Sequence, residues 1–407
     1  MKFADYPITD EIKSQLEVLG LKKPTDIQFK AISHILNGED VMAIAQTGTG
    51  KTAAFAIPTL DRIQRAKGKY TRKSGVSCLV MVPTRELAKQ IAKVYQDIGK
   101  KTGVKTFGLF GGVEQEQQIR TLDNGIDILV STPGRMFDLI SQGALDIHYV
   151  KFLVLDEADL MLDMGFAKDI SDVLKFVPKK RQTLFFSATI SKKIKSLAYD
   201  VVNNPIRIQI SPKNPVANTI AHAVTFVEMD DKRFFLENIV KEHPEKKGVI
   251  FVRTKVRAER LVAALLRVQL ASEALHGGME QKDRFAILDR FRKGENKLLI
   301  TTDVAARGID IPNVDFVVNY DIPDNPENYV HRCGRTGRGN KMGQAISFCA
   351  EQEKQLLKDI EEYTGEEIER HQLTRDEYFS ILDDTDDGSN NWKKLMKKAN
   401  EDFPDEW

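Results

Sequence analysis

Short apolar runs recur along the chain, each closing on a polar or glycine-rich turn: Val41 to Ala45, Leu79 to Val82, Ile128 to Ser131, Phe152 to Leu155 and Leu184 to Phe186. Runs this short, and apolar on both faces, suit central strands of a parallel sheet covered by helices. Between them lie stretches with helical spacing, such as Ala53 to Ile63. A second series follows at Val249 to Val252, Leu298 to Thr301, Phe316 to Asn319 and Ala345 to Phe348, separated by helix-like segments at Arg257 to Leu266 and Gln281 to Arg292. The pattern predicts two α/β domains of similar build in tandem. Pro205 to Pro215, rich in proline and poor in periodic apolar positions, reads as the join. The expected limits are 1–208 for the first domain, 209–218 for the linker, 219–370 for the second domain and 371–407 for a short tail.

Length agrees, since 407 residues hold two or three domains of about 100–200 residues each. A hydrophobic share of 42% and a charged share of 29% belong to folded domains with a buried core. Net charge is +1, from 60 basic and 59 acidic side chains, so bulk charge alone gives no nucleic-acid signature. The charge is unevenly spread. Residues 371–407 hold 5 basic and 10 acidic side chains, leaving 55 against 49 for residues 1–370. Asp383 to Asn391 reads as an acidic, solvated stretch, followed by an amphipathic Trp392 to Lys398.

Cys78, Cys333 and Cys349 have neither disulfide nor metal-ligand spacing and read as isolated buried thiols of a reducing compartment. Asp5 and Pro7 interrupt the place where a secretory leader needs an apolar stretch, and no apolar run approaches about 18 residues. A cytoplasmic protein without membrane contact is expected.

Ala45-Gln46-Thr47-Gly48-Thr49-Gly50-Lys51-Thr52 stands between a predicted strand and a predicted helix, the setting of a phosphate-binding loop. Glycines let backbone N–H groups approach phosphate oxygens, and the helix N-terminus adds partial positive charge. Lys51 is placed for the β/γ-phosphates and Thr52 for Mg²⁺. Ala45 stands where the general pattern has glycine. Asp156-Glu157-Ala158-Asp159 follows the run Phe152 to Leu155, which puts carboxylates at the carboxyl end of a buried strand, where ligands of open α/β sheets sit. Asp156 suits Mg²⁺, and Glu157 is positioned to orient or deprotonate an attacking water.

These residues spell the signature of the DEAD-box ATP-dependent RNA helicases, and residues 1–370 closely resemble that family, most of all its bacterial RhlE-type members. The resemblance implies two tandem RecA-like domains of the superfamily 2 helicase core, with the acidic tail appended. It also implies RNA-stimulated ATP hydrolysis coupled to local unwinding of short RNA duplexes or remodelling of RNA–protein complexes. Gly20 to Gln28, with Phe3 upstream, resembles the family's adenine-sensing segment. A Gln28 amide both donates and accepts, as an adenine edge requires, and Leu21 stands where many members carry Phe.

Pro83-Thr84-Arg85, Gly111-Gly112 and Thr132-Pro133-Gly134-Arg135 resemble the RNA-backbone motifs of the first domain. Hydroxyls, arginines and exposed amides bind phosphate without reading sequence. Ser187-Ala188-Thr189, with Asp159, resembles the motif that couples nucleotide state to strand separation, though helix capping before Lys192 is also open to it.

In the second domain, Gln281 and Arg284, and Thr302 and Arg307, match RNA-side positions, and Gly308 and Asp310 match those that approach the ribose. His331, Arg335 and Arg338 match the residue that meets the carboxylate motif and the arginine fingers. Catalytic groups Lys51 and Glu157 precede the linker while Arg335 and Arg338 follow it, so closure of the two domains on ATP is expected to assemble the site. The implied cofactors are ATP and Mg²⁺, and the partner is RNA bound to a monomeric core. The competing readings are an RNA clamp or annealing protein with little unwinding, and a DNA-directed helicase.

Overall fold

The computed structural model describes residues 1–46, 48–67, 75–210, 216, 219–306, 308–309, 311, 314–337 and 342–383. The apolar runs become strands because a parallel ladder satisfies their backbone N–H and C=O groups while helices cover both faces. One sheet contains β1 (Val41–Ala45), β2 (Cys78–Met81), β3 (Thr106–Leu109), β4 (Ile128–Ser131), β5 (Phe152–Leu155), β6 (Gln182–Ser187) and β7 (Ile206–Ile210). The other contains β8 (Ile220–Phe226), β9 (Gly248–Phe251), β10 (Glu273–Leu275), β11 (Leu298–Thr301), β12 (Phe316–Asn319), β13 (Gly343–Cys349) and β14 (Glu369–His371).

The first sheet runs β3-β4-β2-β5-β6-β1-β7 and the second β10-β11-β9-β12-β13-β8-β14, with parallel pairing throughout. Counted from its own first strand, the second sheet repeats the order of the first. The described residues form two compact units, one on each sheet. In the first, Met42, Leu79, Leu129, Leu153 and Phe185 from adjacent strands meet Met136, Ile170 and Ala198 of the covering helices. In the second, Ile250, Ile300, Val318 and Phe348 meet Leu236 and Leu261. Burying each large side chain contributes about 1.5–3 kcal/mol.

Two sequence expectations need correction. The stretch Pro205 to Pro215 is not simply a linker, because Ile206–Ile210 is β7, paired with β1 along its whole length. Its three isoleucines alternate with Arg207 and Gln209, which is the period of an edge strand with one buried face. Residues 211–215, 217 and 218 of the expected linker lie outside the described residues.

Nor does the second unit end at residue 370. His371 belongs to β14, and Arg375–Asp383 is a helix whose Tyr378 ring packs on Phe235 at 4.9 Å between centroids. The Tyr378 hydroxyl donates to Asp231 Oδ2 (2.9 Å) and accepts from the Glu228 N–H (3.1 Å). The remaining tail, 384–407, with Trp392 to Lys398, lies outside the described residues.

Candidate functional site

β5, β6 and β1 are neighbours in the first sheet, so the loops leaving their carboxyl ends are adjacent. The turn after β1 opens the helix Lys51–Lys67. Lys51 is buried and its Nζ donates to the Ala45 carbonyl at 2.7 Å, closing the loop on itself, while Thr49 Oγ1 donates to the Gln46 carbonyl at 2.7 Å. Gly48 is exposed with φ +81°, and Thr52 is half-buried in the first helical turn.

Gly50 has φ +93°, and a Cβ there would stand 2.4 Å from Gln28 Nε2. Only glycine therefore allows Gln28 to approach. Gln28 Nε2 donates to the Gly50 carbonyl (3.1 Å), and its Oε1 accepts from Thr25 N (2.9 Å) as half of a capping box on the helix Asp26–Asn37. One end of the amide thus ties that helix to the phosphate loop, and the other caps the helix itself. Leu21 is half-buried and Phe3 is buried against Tyr6. Thr47 lies outside the described residues.

After β5, Asp156 is buried, and burial pushes its carboxyl up to about 6 against the pull of the Lys51 ammonium. Glu157 is half-buried and takes the left-handed conformation, φ 52° and ψ 48°. A residue with a Cβ enters this region at a cost of about 1–3 kcal/mol, and such strain concentrates at functional sites. Asp159 Oδ2 accepts from the Ala188 N–H (3.0 Å) and the Thr189 N–H (2.9 Å). Ser187 Oγ donates to the Thr189 carbonyl at 2.8 Å. The capping alternative fails for Ser187 and Thr189, because Ser191 caps the helix Lys192–Val201 by accepting from Ile194 N at 3.3 Å.

The other half of the sheet, β3-β4-β2, carries the remaining motifs. Pro83 is buried, Thr84 caps the helix Arg85–Ile98 by accepting from Leu87 N (3.3 Å), and Arg85 is exposed close to Gly111. Gly112 is exposed with φ +77°. Thr132 and Pro133 are buried at the start of the helix Pro133–Ser141, with Gly134 exposed on its first turn. Arg135 is half-buried and donates to Gln118 Oε1 and to the Val113 carbonyl.

In the second unit the equivalent half of the sheet is β10-β11-β9. Gln281 and Arg284 lie buried on the helix Gln281–Lys293, and Arg284 donates to the carbonyls of His276 (3.0 Å) and Ala305 (3.4 Å). Thr302 follows β11 and is half-buried. His331 sits on the helix Pro326–Cys333, with Arg335 just beyond it and Cys333 buried, its thiol pushed up to about 12 by burial. All three cysteines are free and buried. Gly308 has φ +67°. Arg307, Asp310 and Arg338 lie outside the described residues.

Sequence reasoning missed three groups here. Thr254 stands three residues beyond β9 as Thr84 stands three beyond β2, and it caps its helix in the same way, accepting from Arg257 N at 3.2 Å. The buried Arg332 makes paired hydrogen bonds to Asp303 (2.6 and 2.7 Å) and donates to the Asp321 carbonyl (2.7 Å). Gln118 is buried in the helix Gln115–Asp123. The spacing of a threonine after a central strand was a usable signal for the first group; the other two are contacts between distant loops.

A family model described as "DEAD/DEAH box helicase" matches residues 25–197, and one described as "Helicase conserved C-terminal domain" matches residues 231–340. The ATP-dependent RNA helicase RhlB of Shewanella amazonensis is 38% identical over 383 residues, covering 93% of this chain and 87% of that protein. The chain belongs to the DEAD-box helicase family. ATP-dependent RNA helicase DbpA of Bacillus subtilis is 39% identical over 368 residues, 90% of this chain and 76% of that one. Among solved structures, S. cerevisiae Dbp5 bound to RNA and ADP BeF3 superposes with a TM-score of 0.82 at 31% identity, over 97% of this chain and 98% of that chain. The two parallel sheets are therefore the tandem RecA-like pair of this helicase family. No helix among the described residues is long and apolar enough to cross a membrane.

Proposed function

We propose that this DEAD-box helicase hydrolyses ATP in response to RNA and uses the turnover to open short RNA duplexes or remodel RNA–protein complexes. The observation that carries the reading is the division of the first sheet. The segments after β1 and β5, the strands on either side of β6, carry Lys51, Thr52, Asp156, Glu157 and Asp159, the last bonded to the loop after β6, whereas the loops after β2, β3 and β4 present Thr84, Arg85, Gly112, Gly134 and Arg135. Relatives named as ATP-dependent RNA helicases, and the likeness to a structure bound to RNA and ADP BeF3, support the same reading.

In this reading the loop 45–52 wraps the phosphates with backbone N–H groups, with Lys51 on the β/γ oxygens and Gln28 and Leu21 at the base. A Thr52 hydroxyl and an Asp156 carboxylate are hard oxygen donors beside the buried Lys51, a set that fits Mg²⁺. When bound, Mg²⁺ neutralises charge on the phosphate oxygens. Glu157, held in its left-handed conformation, aims its carboxylate at the attacking water and takes its proton. Asp159, through its bonds to Ala188 and Thr189, relays the state of this site to Ser187 and Thr189. From the second half of the sequence, Arg335 and Arg338 supply positive charge to the transferred phosphoryl, His331 the link to the carboxylate motif, and Gly308 and Asp310 the ribose contacts.

RNA is bound through its backbone by Pro83, Thr84, Arg85, Gly111, Gly112 and residues 132–135, and by Gln281, Arg284, Thr302 and Arg307 in the second half of the sequence. Thr254 joins this set by its equivalence to Thr84. Such contacts favour the 2′-hydroxyl and phosphate over base identity. A monomeric core, a cytoplasmic setting, the RhlE-type subfamily and domain limits near 1–208 and 219–370, with β14 and its following helix added, complete the proposal.

The decisive experiment is RNA-stimulated ATPase and duplex release by the wild type, Lys51→Ala and Glu157→Gln. Lys51→Ala should lose turnover, and Glu157→Gln should bind ATP and RNA normally while hydrolysing at least about 10²-fold more slowly. Stimulation by single-stranded DNA equal to that by RNA would favour a DNA-directed enzyme. ATP-dependent RNA binding without duplex release would favour a clamp.

A further inference from the structure

Gln118 lies in the helix after the Gly111-Gly112 loop, and its buried amide is used at both ends. Nε2 donates to the Phe110 carbonyl at 3.1 Å, and Oε1 accepts from the Arg135 guanidinium, which also donates to the Val113 carbonyl at 3.3 Å. One side chain therefore connects the loop after β3 with the first turn of the helix after β4. The second unit repeats the arrangement. Gln118 and Arg284 each stand nine residues beyond the end of an edge strand, β3 and β10. Arg284 donates to the carbonyl of His276, the residue following β10 as Phe110 follows β3, and to the carbonyl of Ala305, four residues beyond β11 as Arg135 is four beyond β4. Around both links a strand-end hydroxyl makes the same second tie: Ser131 Oγ donates to the Leu109 carbonyl (3.0 Å) and Thr301 Oγ1 to the Leu275 carbonyl (2.9 Å).

We infer that Gln118 is a positioning residue for RNA binding, which holds the Arg135 guanidinium and the Gly111-Gly112 backbone in one arrangement suited to consecutive phosphates. A guanidinium on a half-buried side chain has several rotamers, and its charge contributes to phosphate binding only in those that face the strand. The Arg135 Nε already lies 3.8 Å from Asp138 Oδ2, and a neutral amide acceptor fixes the guanidinium's orientation without adding a second negative charge. The inference rests on the reading of Arg135 as an RNA contact, and that reading is tested separately by Arg135→Ala.

Four full-length proteins are compared for RNA affinity by fluorescence anisotropy with a short labelled single strand: wild type, Arg135→Ala, Gln118→Met and the double variant. Methionine keeps the volume of Gln118 and removes both hydrogen bonds. Gln118→Met should weaken RNA binding about tenfold, raise the KM for RNA in the ATPase assay, and leave RNA-free ATPase and the KM for ATP unchanged. Because Gln118 acts through Arg135, the double variant should bind no more weakly than Arg135→Ala alone. Wild-type affinity in Gln118→Met, or losses that add in the double variant, overturns the inference while leaving Arg135 as an RNA contact. Wild-type affinity in Arg135→Ala overturns the underlying reading of Arg135 instead.

Discussion

At the scale of single residues, the site depends on a few positions where backbone conformation and side-chain reach leave one workable choice. Gly50 is one. Alanine at φ +93° costs about 1–2 kcal/mol of backbone strain, and its Cβ would displace the Gln28 amide from the loop. Gly50→Ala is expected to remain folded but to lose ATP binding, read by titration with a fluorescent ATP analogue; near-wild-type affinity would detach Gln28 from the phosphate loop. His222, in the other unit, pairs its Nδ1 with the Tyr329 hydroxyl at 3.0 Å. Burial lowers its pKa below 6.5, against the pull of Glu366 and Glu369. Between that lowered value and about 6.5 the unfolded chain carries a proton that the folded chain lacks, so stability falls as pH drops through the window. The urea midpoint should therefore decrease from about pH 7.5 to about pH 5.5 more steeply in the wild type than in His222→Gln; parallel slopes would remove His222 from the account.

At the scale of elements, what was legible followed burial. Val41–Ala45, Ile128–Ser131, Phe152–Leu155, Leu298–Thr301 and Phe316–Asn319 are central strands, and their continuous apolar runs mark them in the sequence with correct limits. The edge strands β3, β7, β10 and β14 bury one face or less and have no such run, so sequence pattern passes over them. The same rule explains the site. Loop residues next to central strands are marked by their motif spelling, whereas Gln118 and Arg332 act by joining loops far apart in sequence and carry no local signal. The helix Arg375–Asp383 was missed because no residue in it is fully buried, yet Tyr378 packs on Phe235 and bonds Asp231 and Glu228. Tyr378→Ala should lower stability by about 2 kcal/mol and Tyr378→Phe by about 1 kcal/mol, with ATPase per folded molecule unchanged. Equal stability of Tyr378→Ala and the wild type would return this helix to the tail.

At the scale of the whole molecule, a net charge of +1 coexists with membership of a family whose relatives are RNA helicases. Placement resolves the conflict. With residues 371–383 part of the second unit, residues 1–383 carry 56 basic and 52 acidic side chains and residues 384–407 carry 4 and 7. Neither part is a strong polyelectrolyte. The groups assigned to RNA are mostly hydroxyls, backbone amides at helix starts and glycine turns, which release few counterions. Only a few arginines, among them Arg85 and Arg135, contribute to salt dependence, at about 0.7 in log K per log salt for each phosphate engaged on a single strand. The RNA affinity of the full chain should accordingly fall with a slope of about −1 to −3. A chain ending at Asp383 should bind RNA a few-fold more tightly than the full chain at about 50 mM salt, and equally at about 0.5 M, where salt screens charge beyond a few ångströms. A slope steeper than about −5 would mean that bulk basic surface holds the RNA, and the loops at the strand ends would lose their place as the binding site.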